Sequence, residues 1–170
     1  MTTGPSSAPL RAAVVTVSSS RARDGGSDES GDALAAFVAE MGGTLAGRDL
    51  VADDASEIER CLVRWADGGG CDLVLTTGGT GFAASDVTPE ATEAVIERRA
   101  PGIAEAMRAA SAEHTHHWML SRAVAGSRGA TLIVNFPGNP KAIAETAGVL
   151  RPALPHAISL LRGAPTAHRA

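Results

Sequence analysis

Four short apolar segments recur along the chain, and each is followed by a polar or glycine-rich segment. The four are AAVVTV (Ala12–Val17), TLAGRDLV (Thr44–Val51), DLVLT (Asp72–Thr76) and ATLIVN (Ala130–Asn135), of which the second is the weakest strand candidate. Segments with apolar side chains at helical spacing separate them. Alternating strands and helices are typical of a mainly parallel sheet with helices on both faces. The sequence therefore predicts a single-domain, three-layer α/β/α fold of the Rossmann-like kind.

Helix starts are predicted where a capping side chain precedes an apolar helical stripe. Asp54 with Glu57 has the spacing of a capping box. Thr88-Pro89 and Asn139-Pro140 each place a capping residue before a proline at the first helical position. The same apolar periodicity predicts further helices over residues 34–41, 103–110 and 152–162.

The length of 170 residues fits one domain with a proper core. We expect a flexible leader over residues 1–10, the domain over 11–163 and a tail over 164–170. There is no apolar run long enough for a membrane span and no signal-peptide pattern, so the predicted location is the cytoplasm. Cys61 and Cys71 match no metal-binding spacing and are interpreted as free thiols.

Composition argues against a nucleic-acid binder. The net charge is -4, so there is no basic excess to neutralise phosphates. Aromatic residues make up only 3% of the chain and tyrosine is absent, which leaves little surface for stacking bases. A bound polyanion would therefore need local positive charge or a metal ion.

The polar segments that follow the four predicted strands are the best candidates for a binding site. They are Ser18–Gly31, Ala52–Asp54, Thr77–Gly81 and the segment FPGNP at 136–140. In open α/β sheets, ligands bind beyond the carboxyl ends of the strands. We therefore expect these four segments to converge on one cleft although they are far apart in sequence.

Glycines dominate the segment TGGTG. With no Cβ atoms, Gly78, Gly79 and Gly81 allow backbone N–H groups to approach a phosphate, and Thr80 adds a hydroxyl. An ordinary tight turn is the alternative, because the spacing matches neither a P-loop nor a dinucleotide fingerprint. In the long segment Ser18–Gly31, predicted as a binding loop or as disorder, Ser30-Gly31 could open an anion-binding helix end.

Two aspartates offer ligands for a metal ion. Asp86 lies just before the helix predicted at Thr88, where a capping role is the alternative. Asp54 is assigned to helix capping, which leaves Asp53 without a structural task. Mg²⁺ takes hard oxygen ligands, commonly one or two carboxylates together with substrate phosphates. Asp53 and Asp86, expected at adjacent strand ends, are thus predicted to hold Mg²⁺.

Two other segments allow more than one interpretation. HTHHW (His114–Trp118) suggests zinc, but no cysteine or acidic side chain nearby has ligand spacing, so we disfavour a zinc site. LSRAVAGSRG carries Arg122 and Arg128 among small residues. It is either a second anion contact or a surface turn before the last strand.

Four motifs, taken in order, resemble the MoaB/MogA family of molybdenum-cofactor biosynthesis proteins. They are D-x-S-G (Asp28, Ser30, Gly31), TTGGTG with DVTPEAT, LSRAVAGSRG and LIVNFPGNPKA. The resemblance covers about Ala12 to Gly163. It implies a MoaB/MogA-like molybdopterin-binding fold and a homotrimer. The implied activity is Mg²⁺-dependent transfer of AMP from ATP to molybdopterin with release of pyrophosphate, and a molybdenum-insertion protein is a possible receiver of the product. A weakly active or inactive molybdopterin-binding member of the same fold is the alternative.

The resemblance also implies roles for single residues. Asp53 and Asp86 match the two essential aspartates of the family, and Thr80 and Ser121 match positions linked to the pterin substrate. The full implied set for ATP and molybdopterin is Ser30, Gly31, Gly78, Gly79, Thr80, Gly81, Ser121, Arg122, Pro137, Gly138 and Asn139. Ala52 replaces a family proline, and Ser85 stands where the family has an arginine. We expect Arg21, Arg23 or Arg122 to supply the missing charge to a phosphate.

Overall fold

The computed structural model describes residues 8–68 and 70–163, so residues 1–7 of the expected leader and all of the expected tail lie outside it. Within these ranges the strands are β1 (Arg11–Val17), β2 (Thr44–Val51), β3 (Leu73–Thr77), β4 (Arg98–Arg99), β5 (Ala125–Arg128) and β6 (Thr131–Phe136). The helices are α1 (Ser19–Asp24), α2 (Glu29–Glu40), α3 (Ala55–Asp67), α4 (Thr88–Val95), α5 (Pro101–Ser111), α6 (Pro140–Leu150) and α7 (Leu154–Leu161), with a 3₁₀ turn at His116–Leu120.

In the described part of the chain, six strands form one sheet in the order β2-β1-β3-β6-β5-β4. Strands β2, β1, β3 and β6 run parallel to one another. Strand β5 is antiparallel to β6, and β4 is antiparallel to β5. The carboxyl ends of β2, β1, β3 and β6 therefore lie along one side of the sheet, which we call the carboxyl edge. The mainly parallel sheet predicted from the sequence is confirmed.

Successive side chains of the central strands enter two separate cores. One core packs Val14, Leu75 and Val134 against helices α2, α5, α6 and α7. The other packs Val15 and Ile133 against α3 and α4. Because both faces of the sheet are covered, the central strands are buried and mostly apolar, as expected for parallel strands, with polar side chains such as Thr76 and Asn135 near their carboxyl ends. This is the predicted three-layer α/β/α arrangement. No described helix has the length and apolar character that a membrane crossing requires.

The capping predictions had different outcomes. Asp54 accepts a hydrogen bond from the Glu57 N–H at 2.9 Å, and Asn139 accepts one from the Lys141 N–H at 2.9 Å, so both are confirmed as helix caps. The prediction for Thr88 is wrong. Helix α4 already includes Thr88, its N-cap is Val87, and the Thr88 hydroxyl donates instead to the Gly78 carbonyl at 2.9 Å.

Two short strands and one short helix were not predicted. Strand β4 consists of two arginines, and β5 has the sequence AGSR, so neither shows an apolar run. The segment before the last strand is therefore partly a strand rather than only a surface turn. Helix α1 lies within the stretch predicted as a single long loop, and the Ser18 side chain caps it by accepting from the Arg21 N–H.

At the opposite edge of the sheet, an ion pair joins the end of helix α7 to the start of strand β3. The Arg162 guanidinium at the end of α7 donates from Nε and Nη2 to the two carboxylate oxygens of Asp72, at 2.7 and 2.6 Å. The Arg11 N–H also donates to Asp72, and Arg162 further donates to the carbonyls of Ala8 and Pro9. Residues 8–10 of the expected leader are thus bonded to the domain.

The Asp72→Asn variant tests the energy of this ion pair. Partial burial alone would raise the pKa of the Asp72 carboxyl, but the bonds from Arg162 and Arg11 outweigh it and hold the pKa below its ordinary value. We expect the variant to lower the free energy of unfolding near neutral pH by about 1.5–3 kcal/mol, the range for a hydrogen bond to a charged group. Urea titrations at several pH values measure it.

The pH dependence follows from the direction of the pKa shift. The stabilisation is fully present above the unfolded-state pKa of about 3.9 and is lost as the pH falls through the lower folded-state pKa. The control is Asp67→Asn, which removes a matching two-point contact with Arg128 on a more exposed carboxylate. Its effect should be smaller, because exposed ion pairs are screened. An equal loss in both variants, or one independent of pH, would contradict the prediction.

Candidate functional site

The four polar segments predicted to converge do meet at the carboxyl edge. The Thr77 hydroxyl donates to the Pro137 carbonyl at 2.7 Å, and the Ser30 hydroxyl donates to the Gly138 carbonyl at 3.0 Å. On the other side, the Ser18 N–H donates to the Val51 carbonyl at 2.9 Å. Segments from four strand ends are therefore joined directly to one another.

Asp53 holds the start of helix α1. Its carboxylate Oδ2 accepts a hydrogen bond from the Ser19 N–H at 2.7 Å, and its own N–H donates to the Ser19 hydroxyl at 2.9 Å. The expectation that Asp53 has no structural task is therefore wrong. Sequence alone could not show this, because the partner is a backbone N–H group 34 positions away.

The glycines of the TGGTG segment are required by close packing. A Cβ at Gly78 would lie 2.4 Å from the Val17 carbonyl oxygen, and one at Gly79 would lie 2.4 Å from the Thr88 hydroxyl. Both glycines have positive φ, 98° and 67°. The TGGTG segment therefore does form a tight turn, which was the alternative interpretation. The bare backbone allows the turn to fit between the ends of β1 and α4.

Asp86 is half-buried in the loop between this turn and α4. Its Oδ2 accepts a hydrogen bond from the Ala83 N–H at 2.9 Å, and its own N–H donates to the Ala83 carbonyl at 2.9 Å. A Cβ at Gly81 would lie only 2.8 Å from Oδ2. The carboxylate is therefore fixed across its own loop rather than capping α4.

The two aspartates are not at adjacent strand ends, which corrects the expectation. Asp53 follows β2 and Asp86 follows β3, and β1 lies between these strands. At the usual strand spacing, β2 and β3 are about 10 Å apart. Within residues 8–68 and 70–163, no three His, Cys, Asp or Glu side chains are grouped to hold a metal ion. The two carboxylates are thus a divided pair on opposite sides of the end of β1.

The start of α2 is organised by Asp28, whose role the sequence did not reveal. Its Oδ1 accepts from the Gly31 N–H at 3.0 Å, while Oδ2 accepts from the Thr16 hydroxyl at 2.7 Å and from Arg48 Nη2 at 2.9 Å. Burial tends to raise the pKa of the Asp28 carboxyl, but the bonds from Thr16, Gly31 and Arg48 together lower it. The capping spacing of Asp28 and Gly31 was a usable signal, whereas Arg48 on β2 gave none.

Gly31 is bare because a Cβ there would lie 2.1 Å from the Asp28 carboxylate and 2.5 Å from the Arg48 guanidinium. Ser30 is buried, and its hydroxyl is already committed to the Gly138 carbonyl. At the other side of the site, Gly138 and Asn139 are exposed at the start of α6. These predicted binding residues therefore lie together. Ser30 and Gly31 are buried, whereas Gly138 and Asn139 are exposed.

Two of the three arginines expected to meet a phosphate, Arg21 and Arg23, lie on α1 and make contacts within the segment Ser18–Gly31. Arg21 donates to the Ser27 carbonyl at 3.1 Å, and Arg23 pairs with the neighbouring Asp24. Arg128 is paired with Asp67 at the far end of β5, away from the carboxyl edge, so this arginine does not line the candidate site.

Arg122 does lie at the site, where it contacts the loop of Asp86. Its Nε donates to the Gly81 carbonyl at 2.7 Å and its Nη2 to the Asp86 carbonyl at 2.6 Å. Its backbone N–H donates to the carbonyl of the buried Thr80 at 3.0 Å. The neighbouring Ser121 accepts from the Ala123 N–H through its hydroxyl oxygen. Ser121 and Arg122 thus adjoin the glycine turn, as their motif suggested.

The histidine segment forms no cluster. Residues 116–120 form the 3₁₀ turn, and His114 lies 3.8 Å from Glu145. None of the three histidines, His114, His116 and His117, groups with two further metal-binding side chains in the part of the chain that the structure describes. Zinc receives no support from this geometry.

Comparison with known proteins gives a consistent result. Residues 13–156 match the protein family described as "Probable molybdopterin binding domain". A protein of Helicobacter pylori named molybdopterin adenylyltransferase is 45% identical over 115 residues, which are 68% of this chain and 65% of that protein. The match thus spans less than two thirds of the length of this relative.

Solved structures are similar over a larger share. The molybdopterin biosynthesis enzyme MoaB of Thermus thermophilus has a TM-score of 0.85 and 43% identity, covering 92% of this chain and 98% of that one. A molybdopterin biosynthesis protein of Mycobacterium abscessus has a TM-score of 0.80 and 37% identity, covering 91% and 95% of the two chains.

The variant Gly78→Ala tests the packing of the glycine turn. We expect it to lower the free energy of unfolding by more than the roughly 1–3 kcal/mol of one strained backbone conformation, because the new Cβ also meets the Val17 carbonyl. The control is Gly42→Ala, which has a φ of 73° but no neighbouring atom within 4 Å of the added Cβ. Thermal and urea unfolding measure both losses. Equal losses would show that the close approach to Val17 has no energetic consequence.

Proposed function

The chain belongs to the family of probable molybdopterin binding domains, and from that premise we propose that it is a molybdopterin adenylyltransferase. In this reaction, the terminal phosphate of molybdopterin attacks the α-phosphorus of ATP, and the bond from that phosphorus to the pyrophosphate leaving group breaks. The observation that carries the proposal is the convergence of the four strand-end segments, which bring Asp53 and Asp86 to one edge of the sheet.

The chemistry suits a site built from backbone groups and carboxylates. The attacking phosphate is already an anion, so the reaction requires no general base. What remains for the protein is to align the two phosphates and to neutralise their charge. We assign N–H donors for a phosphate to Gly79, Thr80 and Gly81 of the glycine turn, because the Gly78 N–H donates to the Phe136 carbonyl and the Gly31 N–H to Asp28. We assign further substrate contacts to the exposed Gly138 and Asn139 and to Ser121.

The donor set fits a magnesium ion. Asp53 and Asp86 each use Oδ2 for one backbone N–H group, and no hydrogen bond to either Oδ1 is found among the described residues. Mg²⁺ is commonly bound by one or two carboxylates together with substrate phosphates. Because β1 separates the two aspartates, we propose that they hold the ion together with the phosphates of ATP. When bound, Mg²⁺ supplies the positive charge that an acidic chain lacks.

Two substitutions test the assignment of the aspartates. Asp53→Asn and Asp86→Asn should each lower Mg²⁺- and molybdopterin-dependent pyrophosphate formation from ATP by about 100-fold or more. Asparagine keeps an oxygen that can accept from the Ser19 or Ala83 N–H, so the fold should persist. The double variant should lose far less than the product of the single losses, because both residues serve one ion. Chelation of Mg²⁺ should abolish the reaction.

The matched control is Asp54→Asn. Asp54 adjoins Asp53 but caps α3, and asparagine caps a helix equally well. This variant should keep full activity. Full activity in either test variant at limiting Mg²⁺ would refute the shared site. If the wild-type protein binds molybdopterin but releases no pyrophosphate, the chain is a binding member of the family and the proposed transfer is wrong.

We further propose that the protein is a homotrimer in the cytoplasm and that a molybdenum-insertion protein receives its product. Helix α5 directs Ala104 and Met107 into the core and leaves Gly102 and Ala109 exposed, so small residues are available for close contact with another copy. Closed cyclic symmetry is the usual outcome of such contacts.

Light scattering at micromolar concentration should report a mass of about three chains, because cyclic assembly is expected. Ala109→Arg should shift the protein towards smaller species, since a long charged side chain cannot be accommodated in a close contact. The matched control, Ala39→Arg, changes an exposed alanine of α2 and should leave the mass unchanged. A monomeric wild-type protein would refute the trimer.

A further inference from the structure

We propose that Arg122 is a positioning residue, which holds the loop Gly81–Asp86 in the shape that presents Asp86, and that it does not bind a substrate phosphate. For its kinetic consequence this inference rests on the proposed function. Its structural consequence, the order of the loop, does not depend on that function.

The contacts of Arg122 form a two-point clamp. Nε and Nη2 lie on one edge of the planar guanidinium, and this edge donates to the carbonyls of Gly81 and Asp86 at 2.7 and 2.6 Å. An arginine edge of this kind binds two oxygen atoms at a fixed separation. The two carbonyls are the first and last of the loop, so the side chain fixes the distance across its mouth.

Other restraints on this loop are few. Residues 82–85 are exposed, and Phe82 is 71% exposed. Apart from the clamp, the loop is crossed by the paired bonds between Asp86 and Ala83. The guanidinium carbon of Arg122 also lies 5.6 Å from the centre of the Phe82 ring, within the range of a cation–π contact. Removing the Arg122 side chain would therefore remove both bonds across the mouth of the loop and the contact with Phe82 at once.

The remaining guanidinium nitrogen is also engaged. Nη1 of Arg122 pairs with the Glu90 carboxylate on α4. The hydrogen bond from Arg122 is the main reason that the pKa of Glu90 is lowered, so Glu90 stays negatively charged. A phosphate that approached Nη1 would meet this negatively charged carboxylate beside it. Each of the three guanidinium nitrogens of Arg122 thus donates to a protein oxygen, which uses three of its five N–H groups and favours positioning over substrate binding.

Lysine and glutamine substitutions at this position test the proposal. Lysine keeps the charge but cannot bridge two carbonyls with a planar edge, and glutamine removes the charge. For Arg122→Lys we expect kcat to fall by roughly 10- to 100-fold, as for a misplaced reacting group, with KM for ATP within about threefold of the wild type. If Arg122 were instead a phosphate ligand, Arg122→Gln would raise KM for ATP with kcat little changed. Arg122→Lys, which keeps the positive charge, would then have a KM close to that of the wild type.

A second measurement needs no activity. Hydrogen–deuterium exchange of the backbone amides in residues 78–90 should speed up in Arg122→Lys and Arg122→Gln, while exchange in β1 and β6 stays unchanged. The matched control is Arg128→Lys, which breaks a two-point contact with Asp67 at the far end of β5. It should leave both kcat and exchange over residues 78–90 unaltered.

The outcomes separate this inference from the proposed function. Faster loop exchange with a lowered kcat supports the clamp. Unchanged loop exchange in both variants overturns it, as does a raised KM for ATP with kcat intact in an active protein. If the wild type forms no pyrophosphate, the proposed function fails, and faster exchange over residues 78–90 then still supports the clamp.

Discussion

Parallel strands cannot be joined by a tight turn, so each strand of the β2-β1-β3-β6 array is followed by a helix that returns the chain to the opposite edge. Every such connection leaves the sheet at the carboxyl edge. Segments that are distant in sequence are thereby forced to share one surface, and the bonds from Thr77 to Pro137 and from Ser30 to Gly138 join them. The candidate site exists because of this constraint on chain direction.

The position of α4 depends on a buried polar network beneath the site. The Asn135 amide nitrogen donates to the Thr76 hydroxyl at 3.0 Å and to the Thr92 hydroxyl at 2.9 Å, and its oxygen accepts from the Val124 N–H at 3.1 Å. Side chains of β3, β6 and α4 are thus joined where no water reaches, and a fully satisfied buried network of this kind favours one arrangement over others. The Thr88 hydroxyl adds a bond to the glycine turn. The loop that carries Asp86 therefore starts and ends on rigid supports.

The sequence predicted the parts of the molecule that depend on local pattern. Apolar runs located the four parallel strands, and side chains that bond within three residues, such as Asp54 and Asn139, located helix starts. The two-residue β4 has no such pattern, because its pairing with β5 is set by the neighbouring strand. Asp53 and Arg122 were placed at the site, but their partners lie 34 to 41 positions away and no local signal could reveal them.

The distribution of arginines has a consequence for how an anion can be held. Arg48 is bonded to Asp28 and Asp32, Arg122 to the loop of Asp86, and Arg162 to Asp72. Each guanidinium compensates a carboxylate or a carbonyl of the protein itself, so little of its positive charge is available to a ligand. In a chain with a net charge of -4, the polyphosphate that we propose as substrate would then be bound mainly by backbone N–H groups and by the metal ion proposed for Asp53 and Asp86. Such a site depends on geometry more than on charge, which is why bare glycine backbone and a clamped loop matter more here than basic side chains.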